Sequence, residues 1–319
     1  MKQDKDLLNL SVVTPIYNEE ESLEELYSRL SSTIQGITKD FEIIFIDDGS
    51  TDKSLQKIID FATHDQRIKY ISFTRNFGHQ NAVMAGLNES QGKAVVIIDG
   101  DLQDPPELIT ELFEKYQEGY DVVFAQRQSR KGESLFKKVT AKVFYRLLKK
   151  LTSIEIPIDT GDFRIIDRKV ILNLKKMPEK NKFLRGQIAW MGYKSSHVLF
   201  NREERKHGKS GYSFYKMLKF ALDGITGFSN APLQLVTQLG FLISISTFFI
   251  ILYALISHFV LHRTITGWTS LIISFSFIGG VQLLSIGIIG EYIGRINSNV
   301  IQRPDYIVDR TNITSSAED

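Results

Sequence analysis

Two long stretches without an acidic or basic residue constrain this chain more than any other feature. None occurs between Asp223 and Arg263, and none between Arg263 and Glu291. The runs inside them, roughly Leu235–Val260 and Trp268–Ile293, are rich in Leu, Ile and Phe, and about 20 apolar residues let a helix cross the hydrocarbon core of a bilayer. Buried helices of that length in a soluble protein keep a charged face, which these runs lack. Two membrane-spanning helices are therefore expected, although the mean hydropathy of the whole chain is an ordinary −0.10.

The flanking charges give an orientation. Lys216 and Lys219 precede the first run, Arg295, Arg303 and Arg310 follow the second, and the connection carries only Arg263. Positive residues stay inside, so both ends are expected in the cytoplasm at the cell membrane. Met1–Asn9 is polar, with Lys2 and Lys5 and no apolar stretch behind them, so no cleavable signal is expected. The 319 residues leave room for one large domain and a smaller appendage. The expected division is a cytoplasmic globular unit over 1–210, an interfacial amphipathic helix over 211–232, the two spans within 233–294 and a cytoplasmic tail over 295–319. The absence of cysteine excludes disulfides and thiolate sites, which leaves oxygen and imidazole ligands and favours a hard cation. A net charge of +2 gives no electrostatic footprint for nucleic acid.

Over the first 127 residues short apolar runs alternate with helical patterns, the signature of βα units and a mainly parallel sheet in an α/β fold. Strands are expected at Leu10–Thr14, Phe41–Ile46, Ile68–Phe73, Ala94–Ile98 and Asp121–Ala125, with helices near Glu20–Ile34, after Ser50-Thr51-Asp52, and from Pro105-Pro106 through Tyr116. Each strand is followed by a polar string: Tyr17-Asn18-Glu19, Asp47-Asp48-Gly49-Ser50, Arg75-Asn76-Phe77-Gly78, Asp99-Gly100-Asp101-Leu102-Gln103-Asp104, and Gln126-Arg127. In open α/β sheets ligands bind beyond the carboxyl ends of the strands, so these side chains are expected along one ligand edge. Further on, Ser134–Leu151 reads as a basic amphipathic helix that either lies on an anionic bilayer or covers the sheet. Tyr212–Phe228 is a second amphipathic candidate, leading into the first span, and Thr311–Asp319 reads as disordered.

Asp99 and Asp101 flank a glycine at a strand end, a spacing that lets both carboxylates face one divalent cation, with Gln103 as a neutral ligand and a diphosphate as its partner. Paired aspartates also serve turns and helix caps, so the spacing alone leaves both roles open. No G-x-G-x-x-G follows the first strand and no G-x-x-x-x-G-K-[ST] occurs anywhere, which disfavours dinucleotide dehydrogenases and P-loop nucleotidases.

Taken in order, Val13-Thr-Pro15-Ile-Tyr17-Asn18-Glu19-Glu20, Ile46-Asp47-Asp48-Gly49-Ser50, Arg75-Asn76-Phe77-Gly78, Asp99-Gly-Asp101-Leu-Gln103-Asp104-Pro105-Pro106 and Gly161-Asp162-Phe163-Arg164 resemble family 2 glycosyltransferases. The resemblance is to the branch of dolichol-phosphate mannose synthases and bactoprenol glucosyltransferases, and it runs from about Leu10 to Pro304. It implies a GT-A-type nucleotide-sugar domain followed by a transmembrane hairpin, with both substrates, a UDP-sugar and a polyprenyl phosphate, meeting at the membrane. By the same resemblance, Pro15, Tyr17, Glu19 and Asp48 match positions that hold the base and ribose of the donor. Asp99, Asp101 and Gln103 match a site for Mg or Mn, and Arg127 and Arg205 match cations near the phosphates. Relatives usually have a basic residue where Gly211 stands, so Lys209 either takes over that contact or is a solvated loop lysine. Asp162 is the acidic candidate near the reacting centre, orienting groups there or supporting its loop through Arg164.

The resemblance implies inverting transfer of a sugar, glucose or N-acetylglucosamine, to the lipid phosphate, and leaves homo-oligomerisation open. A processive polysaccharide synthase is the alternative enzyme, but it would carry a Q-x-x-R-W motif and more spans. A non-catalytic nucleotide-sugar-binding membrane subunit is the alternative of another class, and the intact acidic motif argues against it.

Overall fold

The computed structural model of this chain describes residues 7–128, 160–201, 229, 231–259 and 267–313. Arg205, Lys209 and both amphipathic candidates, 134–151 and 212–228, lie outside the described residues.

The five expected strands form as β1 (Leu8–Ile16), β2 (Phe41–Asp47), β3 (Ile68–Phe73), β4 (Gly92–Ile97) and β5 (Val122–Arg127). Their near-continuous apolar runs have the pattern of strands covered on both faces. Three more strands join them: β6 (Thr160–Asp167), β7 (Ser195–Phe200) and β8 (Val308–Thr311). The sheet has the order β7-β5-β6-β4-β1-β2-β3-β8. Pairs β1–β2, β1–β4, β2–β3 and β5–β7 are parallel, while β6 runs antiparallel to β4 and β5, and β8 antiparallel to β3.

Helices cover both faces because alternate strand residues point to opposite sides. On one face Leu10, Val12, Phe41, Ile43 and Phe45 pack with Leu23, Leu26, Leu30 and Ile34 of α1 (Leu23–Ile37), Ile58 of α2 (Ser54–His64) and Leu112 of α4 (Ile109–Gln117). On the other, Val13, Ile44, Ile46, Val95 and Ile97 pack with α3 (His79–Glu89), α5 (Arg168–Leu174) and α6 (Leu184–Trp190). The helix expected from Glu20 begins at Leu23 instead: the amides of Ser22 and Leu23 donate to the Glu19 carbonyl (3.1 and 3.2 Å), so the acidic string closes a turn before α1. Pro105-Pro106 leads through a 3-10 turn, Pro106–Leu108, into α4, as expected where proline opens a helix.

Toward the C-terminus lie two further helices, α7 (Ala231–Phe259) and α8 (Trp268–Ile301), both long and apolar enough to cross a membrane. Phe241 and Phe275 are 67 % and 79 % exposed, with Phe248, Leu271 and Leu283 similarly bare. An apolar surface of that extent marks an interaction site for a membrane or an apolar protein partner. The hydroxyls on these helices return to their own backbone, Thr237 to the Leu233 carbonyl, Ser246 to Leu242 and Ser285 to Val281 (2.8–3.0 Å), which satisfies them without water.

Helix α8 continues to Ile301, and Val308–Thr311, inside or bordering the part read as disordered, pairs with β3 at the edge of the sheet.

Candidate active site

Outward from β1 the sheet proceeds through β2 and β3 on one side and through β4 on the other, so the connections change direction between β1 and β4. Such a switch point leaves a crevice beyond the strand ends. A cleft of about 210 Å³ opens there, lined by Pro15 and Ile16 at the end of β1, Tyr17 and Glu19 beyond it, Asp48 beyond β2, His79 at the start of α3, and Asp99, Gly100 and Asp101 beyond β4. Six residues expected in the site thus share one cleft: Pro15, Tyr17, Glu19, Asp48, Asp99 and Asp101.

The walls are held by backbone bonds that the loop sequences supply. Asn18, at φ 55, receives the Thr51 amide on its side-chain oxygen (2.8 Å) and donates its own amide to Ser50 Oγ (3.0 Å). The Glu19 amide reaches Ser54 Oγ (3.0 Å), and the Lys53 amide reaches Glu20 Oε2 (2.8 Å). These bonds lock the first loop onto the second and leave Tyr17 47 % exposed, a ring face free to stack on a base. Asp48 is buried, accepting from the amides of Phe77 (2.7 Å) and Gly78 (3.0 Å). Burial raises its pKa against these bonds. Gly49 beside it stands at φ +68, and a Cβ there would lie 2.4 Å from the Arg75 carbonyl carbon; only glycine lets the two loops meet so closely.

At Gly100, between the two aspartates, a Cβ would lie 2.5 Å from Ile16 Cδ1, so a larger residue there would have to displace that side chain. Beyond it Leu102 is held at φ 56 with its side chain buried, a conformation disfavoured for leucine and found at positions under tertiary constraint. Asp101 Oδ1 accepts the Gln103 amide (3.1 Å). Asp99 Oδ1 is buried and makes no hydrogen bond among the described residues; His79 Nε2 is 3.7 Å away. Burial pushes the Asp99 carboxyl up, and the Asp162 and Asp101 charges push it further, against His79 and Arg185.

Among the described residues no three Asp, Glu, His or Cys side chains gather as a metal cluster. An orphaned carboxylate oxygen beside a second carboxylate nevertheless fits a hard cation of the kind that takes one or two protein carboxylates and completes its shell with substrate phosphates and water.

Asp162 sits at the start of β6, and because that strand is antiparallel its beginning lies at the same edge as the end of β4. Its carboxylate is saturated. Oδ1 accepts from Arg164 Nη2 (2.6 Å) and Arg185 Nε (3.0 Å), and Oδ2 from His79 Nε2 (3.0 Å) and Gln80 Nε2 (3.3 Å). Burial alone would raise its pKa, but Arg185, the His79 bond and Arg164 hold it well below the carboxylate range. His79 answers in the opposite sense. Burial lowers it, yet the Asp162 bond and the Asp99 and Asp162 charges raise it to about 9. Its side chain is 40 % exposed, so solvent moderates the size of this shift and leaves its direction. These contacts favour the protonated imidazole at the cleft.

Arg127, at the end of β5, lies outside the cleft lining, with Nη2 3.6 Å from Asp104 Oδ1. Gln103 contributes its backbone to Asp101 and is not in the lining either. His79 and Arg185 were not singled out from the sequence, though His79 directly follows the Arg75-Asn76-Phe77-Gly78 string.

Residues 11–174 match the family description "Glycosyl transferase family 2". The chain is 48 % identical to a Bacillus subtilis protein named uncharacterized glycosyltransferase YkcC, covering 95 % of this chain and 94 % of that one. It is 40 % identical to the SfII prophage-derived bactoprenol glucosyl transferase of Shigella flexneri, covering 95 % and 98 %. A more distant likeness, TM-score 0.46 and 19 % identity over 69 % of this chain and 76 % of the other, is to glucosyl-3-phosphoglycerate synthase from Mycobacterium tuberculosis in complex with Mn2+, UDP and phosphoglyceric acid. A GT-A-type α/β domain with its cleft at the switch point, followed by two apolar helices, is thus joined to close relatives along nearly its whole length, and the chain belongs to glycosyl transferase family 2.

Proposed function

We propose that this glycosyltransferase moves a sugar, glucose or N-acetylglucosamine, from a UDP-sugar to a polyprenyl phosphate at the cytoplasmic face of the membrane, supplying a lipid-linked sugar for cell-envelope glycosylation. The observation that carries the reading is the Asp99–Asp101 pair, with its orphaned oxygen, in a cleft whose chain also has two bare apolar helices. The relatives named bactoprenol glucosyl transferases support the acceptor, and the flanking basic residues support an orientation with both ends inside.

The phosphate of a prenyl phosphate is anionic at neutral pH, so its oxygen attacks the anomeric carbon without first losing a proton to the protein. The new C–O bond forms as the bond to the diphosphate breaks, and the electron pair leaves with UDP; attack opposite the leaving group inverts the anomeric centre. A divalent cation held by Asp99 and Asp101, with Gln103 nearby, would supply positive charge to the departing diphosphate. Tyr17 stacks the base, with Pro15, Glu19 and Asp48 around it. Arg127, Arg205 and Lys209 are proposed phosphate contacts. Asp162, saturated by four donors and strongly acidic, acts as an orienting anion: it holds His79 and Arg185 at the cleft and does not accept the proton of an attacking group.

The test is a glycolipid assay. Full-length protein in vesicles containing undecaprenyl phosphate is given Mg or Mn and a panel of labelled nucleotide sugars. One UDP-sugar should yield an extractable lipid-linked sugar, and EDTA should abolish it. Failure with every donor, or a water-soluble polymer as product, would refute the reading.

A further inference from the structure

The C-terminal segment is attached to the catalytic domain far more firmly than the end of a membrane helix requires. Helix α8 has 34 residues, about 51 Å at the α-helical rise, against a hydrocarbon core of about 30 Å. Its first charged residue is Glu291, so Glu291–Ile301 continues past the apolar part by about 16 Å. The amide of Lys180, in the loop before α6, donates to Asn299 Oδ1 on this extension (3.0 Å). Gln302 then ends the helix in the left-handed region, φ 51, and the chain turns back to the sheet.

From there to Asn312 the chain is fastened at successive points. Asp305 pairs with Lys180 (2.8 Å) and lies 3.9 Å from Lys182. The ring of Tyr306 stacks on Phe73 at 4.8 Å and 17°, and its hydroxyl meets Asn88 Nδ2 at 3.4 Å. The Ile307 carbonyl accepts the Thr74 amide (3.1 Å). Asn312 closes the series on both of its amide atoms, accepting from the Tyr70 amide (2.8 Å) and donating to the Ile68 carbonyl (3.0 Å).

We infer that Asn299–Asn312 is a clamp that fixes the height and tilt of the cleft above the bilayer, with Asn299, Asp305 and Tyr306 as positioning residues for a lipid-borne acceptor. The inference rests on the reading that the acceptor is a prenyl phosphate in the membrane. Its physical basis is that a soluble acceptor diffuses to the cleft wherever the cleft is, whereas a lipid phosphate is confined to the headgroup plane. A misplacement of about 1 Å at a reacting centre can cost about a hundredfold in rate. From Glu291 to Asn299 the helix rises about 12 Å, and the clamp turns that fixed length into a fixed position of the domain.

Two full-length variants test this: Asp305→Ala/Tyr306→Ala, which removes the attachment, and a Gly-Ser-Gly-Ser insertion between Arg303 and Pro304, which leaves the attached residues in place and loosens their link to α8. Each is assayed, with the nucleotide sugar that the wild type uses, against undecaprenyl phosphate in vesicles and against a short-chain, water-soluble prenyl phosphate. The expected result is a fall of at least tenfold in kcat/KM for the vesicle acceptor, with the soluble acceptor within twofold, and recovery when Tyr306→Phe replaces Tyr306→Ala beside an intact Asp305. An equal fall for both acceptors would make the segment a mere support of the fold, and no fall for either would make it dispensable; both overturn the clamp. A wild type that glycosylates neither acceptor would instead overturn the acceptor reading, and the clamp with it.

Discussion

Asp101→Ala should lower glycolipid formation by about a thousandfold while leaving the protein folded and inserted. The size follows from the role of the group: removing one preorganised electrostatic partner of a transition state costs about a hundredfold to a thousandfold, and here a ligand of the charge that stabilises the leaving diphosphate would be lost. The selectivity follows from its location. Asp101 lies in a loop beyond β4, lines the open cleft and is only partly buried, so its loss opens no cavity in the core. Thermal unfolding should therefore move by no more than a few degrees. Parallel measurement of the lipid-linked product and the melting temperature separates the two effects, and near-normal turnover in this variant would mean that the acidic pair is a loop device with no part in the chemistry.

Asp162→Ala should do the reverse in proportion, damaging stability as well as activity. Its carboxylate is the common partner of Arg164, which is 1 % exposed, and of Arg185 and His79. Breaking a buried ion pair by removing one partner leaves uncompensated charge and costs about 3–5 kcal/mol. For a domain of this size that corresponds to a fall in melting temperature on the order of 10 °C. The pH dependence has a definite sign. Because the folded-state pKa lies well below the ordinary 3.8, the stabilisation is fully present above that value and is lost as pH falls toward the depressed one. The difference in melting temperature between wild type and Asp162→Ala should therefore shrink in acid, and it should also shrink as pH rises from about 6.5 toward 9, where the wild-type His79, raised by Asp162, loses its proton. A difference that did not shrink as pH fell below 3.8 would show that Asp162 is not the low-pKa anion of this cluster.

Much of this was legible in the sequence because parallel strands announce themselves. The strand at Ile68–Phe73 was read to the residue, and the other four to within two residues at each end, since apolar runs bounded by polar strings admit few other folds. The three strands not foreseen had other reasons to form. In β6 the Gly161-Asp162-Phe163-Arg164 motif disguised the first half as a loop. Ser195–Phe200 alternates weakly, and its pairing with β5 is non-local. All four residues of β8 are exposed, so no hydrophobic pattern marked it; it exists through backbone pairing with β3 and the side chains of Asn312 and Thr311.

The site divides in the same way. Pro15, Tyr17, Glu19, Asp48, Asp99 and Asp101 were readable because they lie at or just beyond strand ends, and strand ends converge by topology. His79 and Arg185 were not: His79 follows the Arg75-Asn76-Phe77-Gly78 string without being part of it, and nothing in the local sequence marks Arg185. The place of His79 at the cleft, and of Arg185 on the Asp162 carboxylate behind it, depends on β6 running antiparallel, which carries Asp162 to the edge where α3 begins. Asp162 was expected to orient groups or to support its loop through Arg164; it bonds Arg164, Arg185, His79 and Gln80.

The central claim, that a cation joins Asp99 and Asp101 to the donor diphosphate beside the bilayer, is tested most directly by electron cryo-microscopy of the full chain in lipid nanodiscs with Mn and UDP. The account predicts cation density between these two carboxylates and the diphosphate, with the base against Tyr17. Nucleotide bound at saturation with no cation at Asp99 or Asp101, or with its base away from Tyr17, would contradict it.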